Sequence, residues 1–180
     1  DQSHPTQGLL DLLTIRRRKG SFEGLKVAIV GDIAHSRVAR SAAEGLVTMG
    51  VSDLRLIAPD ALSPTPGTVP PAARVMTSLD EGVKDADVVM ALRIQRERIV
   101  NLDGIPGVDE YFASYGVTHE RMKLAAPNAI VMHPGPMNRG IEIESSLADS
   151  PCSAITEQVR HGVAVRMSVL AAVSATQDAR

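Results

Sequence analysis

Lys26-Val27-Ala28-Ile29-Val30-Gly31-Asp32 decides the fold. Behind its single lysine the run is apolar throughout, and it stops at a glycine and an aspartate, the usual punctuation of a strand end. A strand without polar alternation is buried on both faces, as in a parallel sheet covered on both sides. Working outward, Val38, Ala42, Leu46 and Met49 share one face of a helix over Ser36–Met49, ended by Gly50. Leu54–Ala58 (LRLIA) is the next strand, and Pro59, Pro64, Pro66, Pro70 and Pro71 make the stretch after it a loop.

The alternation continues toward the C-terminus. Arg74–Thr77 reads as a short strand, Leu79–Lys84 as a short helix, and Val88–Leu92 (VVMAL) as a buried strand ending at Arg93. Asp109–Tyr115 and Thr118–Leu124 read as helical, and Ala129–Met132 as a strand ending at His133. From Ala154 to about Ala175 a longer helix carries Ile155, Val159, Val163, Met167 and Leu170 at helical spacing. On the other side of the deciding stretch, Leu9, Leu10, Leu12, Leu13 and Ile15 mark an amphipathic helix between Pro5 and Gly20. The expected fold class is α/β: a doubly wound, mostly parallel sheet with helices on both faces.

Composition narrows the function. The 180 residues are 44% apolar and 22% charged, with a formal charge of −2, enough to bury a core and too apolar for disorder. No apolar run reaches the ~20 residues needed to cross a bilayer, so no membrane partner is expected. Asp1–Pro5 has neither the basic start nor the apolar stretch of a secretory signal, and Cys152 alone builds neither a disulfide framework nor a zinc site. A reducing, cytoplasmic compartment is expected. Nineteen basic residues against twenty-one acidic ones leave no global positive excess. With no Trp and only Phe22, Tyr111, Phe112 and Tyr115 to stack bases on, nucleic acid is not an expected partner. The one basic run, Arg16-Arg17-Arg18-Lys19, precedes Gly20 and reads as cations at the negative end of a capped helix.

In an open parallel sheet, ligands bind beyond the carboxyl ends of the strands. Three segments lie there: Gly31–Arg37, Arg93–Arg98 and His133–Arg139. Gly31 stands alone where a dinucleotide turn needs three glycines, and Ile33, His35 and Arg37 crowd that turn, so a nicotinamide cofactor is disfavoured. Nor is there a phosphate loop for a nucleoside triphosphate. Arg37 and Arg93, on strand ends expected to be adjacent, could each grip one carboxylate of a small dicarboxylic acid through a bidentate fork. Equally, they could pair with Asp32 and Glu97.

His4 and Gln7 lie one turn apart at the start of the first helix, where free N–H groups favour anions. In His133-Pro134-Gly135-Pro136 two prolines remove donors and fix φ. An extended chain with outward carbonyls, fit to accept from a ligand –NH₂, is expected there. His35, His119 and His161 read as packing or surface residues, and no histidine has a Ser or Cys partner that would make a nucleophile.

These segments together carry a resemblance. His4-Pro5-Thr6-Gln7 followed by LLDL, Gly31-Asp32-Ile33-x-His35-Ser36-Arg37-Val38-Ala39-Arg40-Ser41, Arg93-Ile94-Gln95-Arg96-Glu97-Arg98 and His133-Pro134-Gly135-Pro136-Met137-Asn138-Arg139-Gly140 resemble, in order and spacing, the aspartate carbamoyltransferase family. The resemblance implies transfer of a carbamoyl group from carbamoyl phosphate to L-aspartate, early in pyrimidine synthesis and without a cofactor or metal. His4 would be the catalytic donor that polarises the carbamoyl oxygen. His4, Gln7, Gly135 and Pro136 match the carbamoyl-phosphate contacts, and Arg37, Arg93 and Gln95 the aspartate contacts. Ornithine carbamoyltransferases share the His-Pro-x-Gln start, but they carry His-Cys-Leu-Pro and a Ser-Met-Gly loop that this chain lacks. A non-catalytic scaffold of the same family is the other alternative, which the intact His4, Gln7, Arg37 and Arg93 disfavour.

The family's catalytic chain has two α/β domains. Its phosphate-gripping Ser-Thr-Arg-Thr loop, and the Ser/Lys loop lent by a neighbouring subunit, are absent from these 180 residues. The resemblance therefore implies that residues 1–19 are the last helix of a carbamoyl-phosphate domain. Residues 20–153 would be the aspartate-binding domain, and 154–180 a helix crossing back. Leu9, Leu13, Met167 and Leu170 are then expected to be exposed in this piece, which alone is expected to be inactive. A homotrimer is implied, with regulatory or dihydroorotase-like chains as further partners.

Overall fold

The architecture comes from a computed structural model that describes residues 3–94 and 104–177. Five strands form one parallel sheet: β1 (Lys26–Val30), β2 (Asp53–Ile57), β3 (Ala73–Met76), β4 (Val88–Ala91) and β5 (Ile130–Met132). Their spatial order is β3-β2-β1-β4-β5, with Val30 opposite Ile57 on one side and opposite Ala91 on the other. The helices are α1 (Pro5–Lys19), α2 (Arg37–Thr48), α3 (Leu79–Val83), α4 (Val108–Tyr115), α5 (His119–Met122), α6 (Ser145–Ala148) and α7 (Ile155–Gln177).

The uninterrupted apolar strands behave as their composition demands. Val27, Ile29, Leu54, Leu56, Val88, Met90 and Met132 pack on one face against Ile15 of α1, Ala42 and Leu46 of α2 and Tyr111 of α4. Ala28, Val30, Ile57, Val89 and Val131 pack on the other against Leu79 and Val83 of α3 and Leu147 of α6. The chain winds outward from β1 in both directions. The switch point therefore falls between β1 and β4, where such sheets open a crevice for ligands.

Local signals set the helix ends. The Ser36 hydroxyl accepts from the Ala39 N–H at 3.1 Å and starts α2. Gly20, at φ +80°, ends α1, its N–H donating to the Arg16 carbonyl. The basic run has a further use: Arg18 donates to the Ser153 carbonyl and pairs with Glu157 at 3.0 Å, and Lys19 donates to the Asn128 carbonyl. The C-terminal end of α1 is thus tied to the approach to β5 and to the start of α7.

On α7 only the first of the evenly spaced apolar residues, Ile155, is buried; Val159, Val163, Met167 and Leu170 are exposed, Met167 at 65%. The exposure of Leu9, Met167 and Leu170 is as expected. Two expectations need correction. Leu13 is half-buried rather than exposed, because α1 packs between α2 and α7. The chain after His133 bends at Gly135, at φ +71°, instead of running extended. No helix among the described residues is long and apolar enough to cross a membrane.

Candidate active site

Close contact between two strand ends builds the site. Gly31, just past β1, sits at φ +134°, and a Cβ there would stand 2.5 Å from the Leu92 carbonyl oxygen and 2.9 Å from the Leu92 Cβ. Only glycine fits that approach. It lets the ends of β1 and β4 close on each other, and the arginine following each strand, Arg37 and Arg93, lines a single cavity of about 240 Å³. His4, Ser36, His133, Pro134, Gly135 and Pro136 complete its polar and loop lining.

The alternative of Arg37 paired with Asp32 does not form. Asp32 is fully buried, and its Oδ1 accepts from the His35 N–H at 3.0 Å and faces His35 Nδ1 at 2.8 Å, while its Oδ2 has no partner. Glu97, the other alternative partner, and Gln95, an expected aspartate contact, lie outside the described residues.

Two helix N-termini open onto the same cavity. His4 is the N-cap of α1 and Ser36 that of α2, and the His4 N–H donates to the Ser41 hydroxyl at 2.8 Å, fixing one helix start against the other. Their dipoles add positive potential to that of Arg37 and Arg93. None of the described lining residues is acidic. Burial first, and then the charges of Arg37 and Arg166, hold the His4 imidazole below the usual histidine range. At neutral pH it is therefore uncharged, with one N–H to donate and a ring nitrogen 3.5 Å from the Thr6 hydroxyl.

The far wall is the loop after β5, and buried side chains hold it. His133 is 1% exposed. Its Nδ1 accepts from the Gly135 N–H at 2.9 Å, so the proton sits on Nε2, which donates to Glu142 Oε1 at 3.1 Å. The same Glu142 oxygen accepts from the Asn138 N–H at 2.5 Å. The His133 N–H donates to Gln158 Oε1 on α7 at 2.8 Å.

Gln7 lies beside this cavity, lining a second one of about 210 Å³ with Pro134, Gln158 and Arg166. Its Nε2 donates to Asp11 Oδ1 at 2.9 Å, and Gln158 Nε2 donates to the same oxygen at 2.9 Å. Burial pushes the Asp11 carboxyl up to about 7 against the pull of those two hydrogen bonds.

The structure thus brings His4, Arg37, Arg93, Gly135 and Pro136 together and sets Gln7 next door. Sequence reasoning passes over Asp11, Glu142 and Gln158. Asp11, a carboxylate inside an apolar helix face at four residues from Gln7, is the one signal available; the other two have none. Among the described residues no group of three His, Cys, Asp or Glu is placed to hold a metal ion.

Comparison with known proteins agrees with this architecture. Residues 23–173 match the family model described as aspartate/ornithine carbamoyltransferase, Asp/Orn binding domain. The chain superposes on ornithine carbamoyltransferase from Gloeobacter violaceus with a TM-score of 0.80 at 27% identity, covering 96% of this chain and 59% of that one. It superposes on aspartate transcarbamoylase from Trypanosoma cruzi, in complex with N-(phosphonacetyl)-L-aspartic acid, with a TM-score of 0.79 at 32% identity, covering 93% and 55%. The chain belongs to the aspartate/ornithine carbamoyltransferase family and contains its Asp/Orn-binding domain. It spans little more than half the length of these relatives.

Proposed function

We propose that this domain takes L-aspartate as the carbamoyl acceptor, yielding N-carbamoyl-L-aspartate and phosphate for pyrimidine synthesis. One observation carries the reading: Arg37, which begins the helix after β1, and Arg93, which follows the adjacent parallel strand β4, line one small cavity. Two guanidinium forks complement two carboxylates. Ornithine presents one carboxylate and an ammonium group, and would leave one of the two forks facing no carboxylate.

In this reading the aspartate amine attacks the carbamoyl carbon, and negative charge grows on the carbonyl oxygen. Neutral His4 donates its N–H to that oxygen. The Gly135 and Pro136 carbonyls and the Gln7 Oε1 accept from the carbamoyl –NH₂. Asp11 supports this role for Gln7: by taking the Nε2 it leaves the Oε1 to face a ligand donor. As the C–O bond to phosphate breaks, the leaving phosphate takes the proton from the amine, so no protein base is required. Most of the rate gain would then come from alignment and electrostatics.

The same reading makes residues 1–19 and 154–180 the helices that join a carbamoyl-phosphate domain, in a cytoplasmic homotrimer whose neighbouring subunit completes the site. Gln95 would assist at the aspartate. The 180 residues alone would not turn over.

The test is carbamoyl transfer by the intact enzyme with L-aspartate and L-ornithine as rival acceptors. Aspartate should be the strongly preferred acceptor, and Arg37→Ala or Arg93→Ala should each lower kcat/KM for aspartate by about 100-fold, the worth of a charge-assisted pair. Preference for ornithine would overturn the reading.

A further inference from the structure

A single buried chain of hydrogen bonds links the two groups proposed to hold the carbamoyl –NH₂. It starts at Gln7 on α1, whose Nε2 donates to Asp11 Oδ1. Gln158 on α7 donates to that same oxygen through Nε2, and through Oε1 it accepts from the His133 N–H. His133 in turn takes the Gly135 N–H on Nδ1. Asp11 is 1% exposed and Gln158 2%, and neither lines the cavity that holds Arg37 and Arg93.

We infer that Asp11 and Gln158 are positioning residues: together they fix the side-chain amide of Gln7 and the His133–Pro136 loop relative to each other. The chemistry of the donors leaves one arrangement. The Asp11 oxygen that the amides share accepts whether or not the other oxygen carries a proton, so both amides turn their –NH₂ toward it. Gln158 must then offer its oxygen to the backbone of His133, and Gln7 its oxygen away from Asp11. One carboxylate thus orients an acceptor on each side. Neither residue touches the substrates. Their effect is to set the separation between the Gln7 oxygen and the Gly135 and Pro136 carbonyls, on which recognition of a planar –NH₂ depends. Two helices distant in sequence, α1 and α7, carry the pair, so it also fixes where the loop sits on the α1 end of the site.

This inference rests on the proposed carbamoyl chemistry, and its test separates the two. Gln158→Glu puts a second carboxylate against Asp11 and removes the donor. Asp11→Asn keeps an oxygen for the two amides. The double variant Asp11→Asn/Gln158→Glu removes the carboxylate pair and restores a donor between α1 and α7, while Gln7 loses the Asp11 oxygen that it shared with Gln158. Its new –NH₂ on α1 donates to the new carboxylate on α7, whose other oxygen accepts from the His133 N–H, so the loop arm of the chain is restored and the Gln7 arm is not. In the intact enzyme, Gln158→Glu should raise KM for carbamoyl phosphate and lower kcat, with kcat/KM down by about tenfold or more. Asp11→Asn should stay within about threefold of wild type, and the double variant should recover part of the loss, the part that belongs to the His133 loop.

Amide hydrogen exchange at His133 and Gly135 should follow the same order in the 180-residue chain, with no substrate present. A double variant no better than Gln158→Glu, or Gln158→Glu with wild-type rates and exchange, would overturn the inference. Wild-type enzyme that carbamoylates neither amino acid would sink the functional reading, while the exchange order would still decide whether the pair positions the loop.

Discussion

The two walls of the site are built in opposite ways. The wall at the end of β1 is made by neighbours in sequence: Gly31 admits the close approach of β4, Asp32 takes the N–H and ring of His35, and Ser36 caps the helix that Arg37 begins. The wall after β5 is made by partners from elsewhere. His133 depends on Gln158, twenty-five residues away, and Gln158 on Asp11, 147 residues away. Apart from the approach of Leu92 to Gly31, the first wall is a consequence of local chain chemistry. The second exists only once α1 and α7 have packed.

Perturbing each wall in turn should sharpen that contrast. The largest effect belongs to the long-range wall. Asp11 has a folded-state pKa of about 7 against an ordinary value of 3.8, so the folded protein holds its proton longer than the unfolded chain does. Stability conferred by the protonated form is present at low pH and is lost as pH rises from about 4 through about 7. Asp11→Asn removes that loss. Relative to wild type it should gain about 4 kcal/mol between the two ends of that window, with Arg166 as the nearby charge that limits the gain. Urea denaturation of both proteins across the window checks the sign: a gap that shrinks with rising pH would contradict it.

Next comes the local wall at its tightest point. Gly31→Ala sets a Cβ against the Leu92 backbone at a φ that side chains avoid, and should cost about 3 kcal/mol while forcing the β1 and β4 ends apart. Thermal unfolding measures the first, and a rise in KM for aspartate the second. Glu142→Ala strips partners from the buried His133 Nε2–H and the Asn138 N–H, and should cost about 2 kcal/mol. Its signature is a changed ¹⁵N spectrum of the His133 ring, which the local wall should not share. The smallest effect is Ser36→Ala, which removes one cap and should cost about 1 kcal/mol without moving the β5 loop.

The same contrast separates what is legible in the amino-acid sequence from what is not. β1, β4 and β5 are legible because each is a short, mostly apolar run closed by a polar residue or glycine, β2 because LRLIA runs into a proline-rich loop, and α2 because its apolar spacing and Ser36 cap agree. His4, Arg37 and Arg93 stand out because helix starts and strand ends are the places where this fold puts chemistry. α6, four residues long, has too few turns to show a period. The apolar spacing of α7 reveals the helix, but periodicity reports which residues share a face and not what covers it; here Val163 and Leu170 face outward. The bend at Gly135 hides behind its prolines, since glycine permits a positive φ without announcing it. Gln158 has no local signal at all, because its partners are set by tertiary contact, and Glu142, four and nine residues from its partners, lies in a loop with no period to mark it.

What matters most is whether two arginines share one dicarboxylate. A crystal structure of the intact enzyme with N-(phosphonacetyl)-L-aspartic acid bound tests this directly. Arg37 and Arg93 should each hold a different carboxylate of the aspartyl half within hydrogen-bond distance, with the His4 ring on the carbonyl oxygen. An aspartyl half bound elsewhere, with either guanidinium turned to a protein carboxylate instead, would contradict the account.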